Sequence, residues 1–305
     1  MSTDRTVALS LGLTWGDKWT HEIYRGVRDT EARWAMGQSL WEWLGNFGWF
    51  YGLAVVCVDD PGVRKIMGSI GRAVVTYGLD DEADLRAENI EFDADRTRFD
   101  VVRGGDKPAL RITLQLPGLH NVRNALGALA VAWELGLDTR AAAECLADFQ
   151  GVGRRFAELG EVPFDAHRAR VVEDYGHHPT ELEATLAAAR SGWKRRVVAV
   201  FQPHRYTRTR DLEREFYAAF DRADVLVVMD IYAAGEKPID GISAEKLADG
   251  ISGHGHKSCC YTGDIEATVE HLQAVLLPGD IVITLGAGNV WQVGEELHRL
   301  LSMSN

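Results

Sequence analysis

The chain has 305 residues, 46% of them hydrophobic and 26% charged, with a formal net charge of −12 at pH 7. These proportions are typical of a globular protein, and the length is sufficient for two domains, each with its own core. The negative charge argues against general binding to nucleic acids or to anionic membranes.

The beginning of the chain is rich in tryptophan: residues 1–50 contain six of the nine tryptophans. Its apolar run is too short for a signal peptide or a membrane span, which favours a cytoplasmic protein. Between about Glu31 and Phe47 the apolar spacing allows an amphipathic helix with an aromatic face. We expect this face to pack against the sheet that follows. The alternative is an exposed surface that binds a partner, since aromatic patches also mark interfaces.

A βαβ unit is predicted next. Residues 54–58 form an apolar strand, Asp60 and Pro61 begin a helix, and residues 73–77 form a second strand. Three short apolar segments separated by turn signals then predict a small antiparallel addition to the sheet. An Ala-rich helix follows, and another helix begins at Thr139.

Residues 150–156, with the sequence QGVGRRF, are interpreted as a hinge between two domains. Glycines on either side of a small residue allow the backbone to bend. The adjacent Arg154 and Arg155 would reach a ligand held between the domains. The predicted division is residues 1–50 as a segment of uncertain fold, 51–153 as the first domain and 154–305 as the second.

The second domain is organised around residues 171–210. An apolar strand ends at Asp174, so this carboxylate lies at the carboxyl edge of the predicted sheet, where open α/β sheets bind ligands. Pro179 begins a helix, since the missing N–H of proline costs nothing in a first helical turn. His177 and His178 therefore occupy the turn between strand and helix.

A second apolar strand, residues 197–201, is typical of a parallel strand covered on both faces, and it opens into the loop QPHRYTRT. Its Arg205 and Arg208 carry forked donors that bind carboxylate or phosphate in bidentate fashion. Because both loops leave neighbouring βα units, we expect them to meet at one ligand site. The alternative is that the two arginines are ordinary surface charges.

The rest of the second domain alternates strands and helices, as a doubly wound α/β fold does. Predicted strands cover 225–229 and 281–285, and predicted helices cover 211–220, 243–248, 265–275 and 290–301. Gly286-Ala287-Gly288 is a weak nucleotide-binding signal that would also fit an oxidoreductase. The four cysteines lack the spacing of a disulfide framework or a zinc site, and Cys259-Cys260 is interpreted as the end of a buried strand.

Several spaced motifs resemble those of the Mur ligase family. They are LPGLHNVRNALGALAVA, FQGVGRRF, VVEDYGHHPTE, FQPHRYTRT, YAAGEKPIDG and TLGAGNVWQVG, and they run in order from about Phe50 to Leu301. The resemblance implies a Rossmann-like, doubly wound C-terminal domain preceded by a truncated central α/β domain of the ATP-binding type. The strings DYGHHP and PHRYTRT favour the alanine-adding members of the family.

The resemblance implies a ligase of peptidoglycan synthesis, and hence of cell-wall biogenesis, cell shape and cell division, that uses ATP and Mg²⁺. Such enzymes turn the carboxylate of UDP-N-acetylmuramate into an acyl phosphate, which the amine of L-alanine attacks. The nucleotide-binding residues implied by the resemblance are His120, Asn121, Asn124, Arg154, Arg155 and Asp174. The implied substrate-binding residues are Tyr175, His177, Arg205 and Arg208, and the implied catalytic residues are His178, Arg205 and Arg208.

The phosphate-binding loop of the family, G-x-x-x-x-G-K-[ST], does not occur in the 305 residues. The UDP-sugar domain and the magnesium ligands of the family have no counterpart either. Because phosphoryl transfer depends on positioning and charge stabilisation, we expect a truncated ligase that is inactive alone unless a partner chain supplies the missing half. The alternative is a non-catalytic binding or regulatory module that docks on a full-length ligase.

Overall fold

The computed structural model describes residues 52–93, 96–105, 108–164 and 167–303. The expected tryptophan-rich helix lies outside the described residues. The described chain forms two compact units: one contains residues up to Glu91, Arg98–Thr113 and His120–Ala147, and the other contains Phe92–Thr97, Leu114–Leu119 and the residues from Asp148 onward. Within these ranges no helix is both long and apolar enough to cross a membrane.

In the described part of the chain, the first sheet has five strands in the order of the chain. They are β1 (Leu53–Cys57), β2 (Ala73–Gly78), β3 (Leu85–Asp93), β4 (Arg96–Arg103) and β5 (Pro108–Leu114). β1 pairs in parallel with β2, and β2 pairs in parallel with β3. The predicted βαβ unit is therefore confirmed, and the three further segments extend its sheet.

Among the residues that the structure describes, three helices accompany this sheet, namely α1 (Pro61–Met67), α2 (Leu119–Glu134) and α3 (Thr139–Asp148). Asp60 caps α1 as expected, since its Oδ1 accepts the N–H groups of Gly62 (2.7 Å) and Val63 (2.9 Å). Asp59 accepts the N–H of Leu79 at 2.9 Å and the Nε of Arg123, on α2, at 2.6 Å. This carboxylate therefore connects the ends of β1 and β2 with α2.

The described residues of the second sheet form six strands, which are β6 (Ala157–Phe164), β7 (His167–Asp174), β8 (Val197–Phe201), β9 (Val225–Met229), β10 (Cys259–Gly263) and β11 (Ile281–Leu285). Their order across the sheet is β10-β9-β8-β11-β7-β6. Its helices are α4 (Pro179–Gly192), α5 (Tyr206–Asp211), α6 (Glu213–Ala218), α7 (Ala244–His254), α8 (Ile265–Val275) and α9 (Trp291–Met303). All neighbouring strands run parallel except β6, which is antiparallel to β7.

Burial on both faces explains the unbroken apolar sequences of the central strands. Every residue of β8, β9 and β11 is buried. One face packs against Leu182 of α4, Phe216 of α6 and Leu247 of α7. The other face packs against Leu272 of α8 and Leu297 of α9. The predicted doubly wound α/β fold is confirmed.

Some local predictions differ from the structure. The helix expected over 211–220 is the shorter α6. It is preceded by α5, which lies in the segment expected to be a loop, and the two helices are separated at Leu212 (φ −116°, ψ 20°). The helix expected over 243–248 continues to His254, where Gly255 ends it with a positive φ of 122°. Cys259 and Cys260 begin a strand instead of ending one.

The antiparallel strand β6 was not predicted. Its sequence, AELGEVPF, contains a glycine, two glutamates and Pro163. A proline is compatible with an edge strand, because it removes a backbone donor that a neighbouring strand would need. Among the described strands, β6 has β7 as its single neighbour.

We expect Phe201→Ala to destabilise the second unit by about 3–5 kcal/mol, because it leaves a cavity in a packed aromatic group. Phe201 is fully buried, and its ring centroid lies 5.4 Å from Phe216 and 5.0 Å from Phe220. Urea denaturation followed by circular dichroism measures this loss. Phe149, which is 42% exposed, provides the matched control. Phe149→Ala should change stability by no more than about 0.5 kcal/mol, and an equal loss in both variants would contradict the packing argument.

Candidate functional site

The loops at the carboxyl ends of β7, β8 and β11 meet at a point where the helices change sides. β11 lies between β8 and β7. The helices that follow β7 and β8 pack on one face of the sheet, whereas α9, which follows β11, packs on the other. Loops that leave neighbouring strands in opposite directions open a crevice, and open α/β sheets bind ligands there.

Gln202 fixes the loop that follows β11. Its side chain is buried, its Nε2 donates to Asn289 Oδ1 at 2.7 Å, and its Oε1 accepts the N–H groups of Asn289 (2.9 Å) and Val290 (3.1 Å). A Cβ on Gly288 would lie 2.3 Å from Gln202 Oε1 and 2.6 Å from the Tyr232 ring. Close packing therefore accounts for the glycine at position 288 in this structure.

Asp174 ends β7 and is 1% exposed. Its two oxygens accept the N–H groups of Phe156 at 2.9 Å and Gly176 at 2.7 Å. Burial raises the pKa of this carboxyl to about 6, against the opposing effects of these hydrogen bonds and of Arg155. These contacts organise the backbone of the strand end. The expected role of Asp174 at a nucleotide ribose stays a prediction.

Arg154 and Arg155 lie on the same aromatic ring. Their guanidinium carbons are 5.0 and 5.3 Å from the centre of the Tyr175 ring. Arg154 also donates to Glu173 Oε1 at 2.6 Å and to the carbonyls of Gly286 and Gly288. It therefore connects β7 with the loop after β11. The expected phosphate contacts of both arginines stay predictions.

The two histidines of the turn differ in environment. His177 is buried, its Nδ1 lies 3.0 Å from the carbonyl of Tyr175, and its ring centre lies 5.4 Å from that of His204. His178 is exposed and caps α4, since its Nδ1 accepts the N–H of Thr180 at 3.3 Å. Glu181 accepts the backbone N–H groups of both histidines. His177 is thus the histidine that joins the neighbouring loop, and a catalytic role of His178 stays a prediction.

In the segment after β8, Arg208 lies next to His204. His204 was not among the site residues that we predicted from the sequence. Arg208 Nη1 lies 3.2 Å from His204 Nδ1, and the ring of Tyr232 stacks on His204 at 5.6 Å with an interplanar angle of 12°. Arg205 is exposed and precedes α5. His177, His204 and Arg208 are therefore gathered in one cluster, with Arg205 close to it in the chain. His204 stands beside Arg205 in the sequence, a signal that could have included it.

The first unit contains the remaining candidate residues. His120, Asn121 and Asn124 lie in the first two turns of α2, where His120 is buried and Asn124 is exposed. Amide groups at these positions suit a heterocyclic base that has both donors and acceptors. Their nucleotide-binding role stays a prediction. In the part of the chain that the structure describes, no group of three or more His, Cys, Asp or Glu side chains could hold a metal ion.

We expect His204 to be neutral at pH 7. Burial, followed by the neighbouring His177 and the guanidinium groups of Arg208 and Arg205, lowers its pKa to about 4. The unfolded chain takes up this proton near pH 6.5, so the contribution of His204 to stability is present above that pH and is lost as the pH falls to about 4. NMR titration of the His204 ring measures the pKa. Arg208→Ala should raise it and the control Arg210→Ala should not, and a wild-type pKa near 6.5 would contradict the expectation.

Comparisons with known proteins agree with this architecture. Residues 44–132 match the Mur ligase middle domain, and residues 154–288 match the glutamate ligase domain of Mur ligases. The UDP-N-acetylmuramate–L-alanine ligase of Syntrophotalea carbinolica is 52% identical over 248 residues, which are 81% of this chain and 53% of that protein. The ligase of the same name from Geobacter sulfurreducens is 50% identical over 81% of this chain and 52% of its own length.

Solved structures show the same fold. The crystal structure of a UDP-N-acetylmuramate–alanine ligase from Thermotoga maritima has a TM-score of 0.69 and 24% identity, over 88% of this chain and 56% of the other. A MurF ligase of Thermotoga maritima in complex with ADP has a TM-score of 0.62 and 18% identity, over 83% of this chain and 55% of the other. The chain spans about half the length of the curated relatives it matches. On these matches, the chain belongs to the Mur ligase family.

Proposed function

We propose that the chain supplies the amino-acid-binding and adenine-side half of a ligase that joins L-alanine to UDP-N-acetylmuramate. The observation that carries the proposal is the cluster of His177, His204 and Arg208, with Arg205 beside it, at the carboxyl edge of the second sheet. Curated relatives that are about half identical to the chain carry the name of this activity. We further propose that residues 51–153 are part of a middle domain and that residues 154–305 are the closing C-terminal domain.

The arginines are suited to an anionic group. A guanidinium fork binds a carboxylate or a phosphate through two parallel hydrogen bonds. Arg208 lies against His204, whose lowered pKa keeps the ring neutral. The cluster therefore holds arginine cations and an uncharged hydrogen-bond acceptor side by side. In the proposed reaction Arg205 and Arg208 hold the carboxylate of L-alanine or the acyl phosphate. His177 and Tyr175 line the same edge of the sheet.

The residues fit only one end of an ATP molecule. His120, Asn121 and Asn124 provide polar groups for the base, but the 305 residues contain no G-x-x-x-x-G-K-[ST] loop for the phosphates. When ATP is bound, it supplies the phosphoryl group that activates the sugar carboxylate. Mg²⁺ would neutralise charge on the phosphates, but the described residues offer it no cluster of ligands. We therefore propose that this chain alone binds an amino acid but does not catalyse the ligase reaction.

We expect no phosphate release from the purified chain incubated with ATP, Mg²⁺, L-alanine and UDP-N-acetylmuramate. Phosphoryl transfer needs a loop that binds and positions the phosphates, and without such a loop the rate of transfer falls by many powers of ten. A coupled phosphate assay measures the release. Release above background that Arg205→Ala abolishes would contradict the expectation and would identify the chain as a working ligase.

We expect Arg205→Ala to weaken L-alanine binding at least about tenfold, because a bidentate charged contact is lost. Isothermal titration calorimetry of the full chain measures the affinity. Arg210 provides the matched control, because it is an exposed arginine of α5, the helix that Arg205 precedes, and its Nε donates to Asp211 at 2.8 Å. Equal weakening by Arg205→Ala and Arg210→Ala would indicate a general charge effect and would sink the proposed site.

A further inference from the structure

The loop after β9 lies along the loop that carries Arg205. Tyr232 N donates to the carbonyl of Pro203 at 2.8 Å, and Arg205 N donates to the carbonyl of Tyr232 at 2.9 Å. The stacked rings of His204 and Tyr232 add a side-chain contact to this short parallel bridge. The backbone at Arg205 is thus held from outside its own element.

Arg205 has a backbone conformation that its side chain disfavours. Its φ is 72°, a value that favours glycine. Such a conformation persists where surrounding contacts determine it more strongly than the residue itself. Arg205 also stands at the cap position of α5 and makes no side-chain capping hydrogen bond, so the start of this helix depends on another group.

Glu236 is that group. Its Oε2 accepts the N–H of Thr207 at 3.0 Å, and its Oε1 accepts the hydroxyl of Thr207 at 2.7 Å. A tight turn directs it there: Ala234 and Gly235 have positive φ values of 49° and 86°, and Glu236 N donates to the carbonyl of Ala233 at 2.9 Å. The contact lowers the pKa of Glu236, since it stabilises the ionised form.

We propose that Glu236 is a positioning residue, which caps α5 from the loop after β9 and thereby holds Arg205 and Arg208 in their anion-binding arrangement. The proposal rests on the function proposed above and adds a positioning residue to the same site. Electrostatics alone disfavours a carboxylate near a site for anions. The proposed role of Glu236 therefore depends on its contact with Thr207 and not on its charge.

Three variants separate the effect of the contact between Glu236 and Thr207 from the effect of the carboxylate charge. Glu236→Ala removes both. Glu236→Gln keeps an acceptor for the Thr207 N–H and an amide that can donate to the hydroxyl, and it removes only the charge. Glu215→Ala removes the charge of an exposed carboxylate of α6 and serves as the matched control.

Backbone NMR shifts report the sign of φ at Arg205, and calorimetric titration with inorganic phosphate reports anion binding. We expect Glu236→Ala to lose the positive φ and to bind phosphate at least about tenfold more weakly. We expect Glu236→Gln to keep the positive φ and to bind phosphate as tightly as the wild type or more tightly. Glu215→Ala should resemble the wild type in both measurements.

The proposal is overturned if Glu236→Ala keeps the positive φ, or if Glu215→Ala produces the same loss. The two proposals fail in different ways. If the wild-type chain does not bind phosphate, the anion site of the proposed function is contradicted. The backbone measurement at Arg205 still decides the role of Glu236 in that case.

Discussion

The second unit depends on one constraint: its central parallel strands are covered on both faces. Because β8, β9 and β11 bury every residue, helices must lie on each side of the sheet. With β11 inserted between β7 and β8, loops next to one another in the sheet depart in opposite directions. The crevice at their carboxyl ends is therefore a consequence of core packing, and the polar residues of the site occupy a place that the apolar sequence creates.

The polar groups at this edge stabilise one another across elements that are far apart in the chain. Gln202 fixes the loop after β11, Arg154 connects that loop with Glu173, and Asp174 accepts the N–H of Phe156. Buried polar groups are costly unless they are satisfied, so these contacts keep the loops in one conformation. Several residues expected to bind ligand thus have internal hydrogen-bonding roles in this structure.

The sequence was sufficient for elements whose signal is local. The strands 197–201, 225–229 and 281–285 and the helix 265–275 were predicted with the bounds of β8, β9, β11 and α8. The site was harder to predict. His204 stacks on Tyr232 and Glu236 accepts a hydrogen bond from Thr207, and such pairing between separate loops leaves no periodic pattern in a sequence. The family match also disfavours the oxidoreductase interpretation, because it includes Gly286-Ala287-Gly288.

The positive φ at Arg205 means that stability and the proposed binding of an anion make opposite demands on one position. Glycine would relieve the backbone there at a gain of up to about 1–3 kcal/mol, but it would delete the guanidinium. Proteins commonly accept such local strain where a side chain must point at a ligand. A search for thermostable variants of this domain would therefore favour replacing Arg205, and it would select chains that fold better and no longer present that cation.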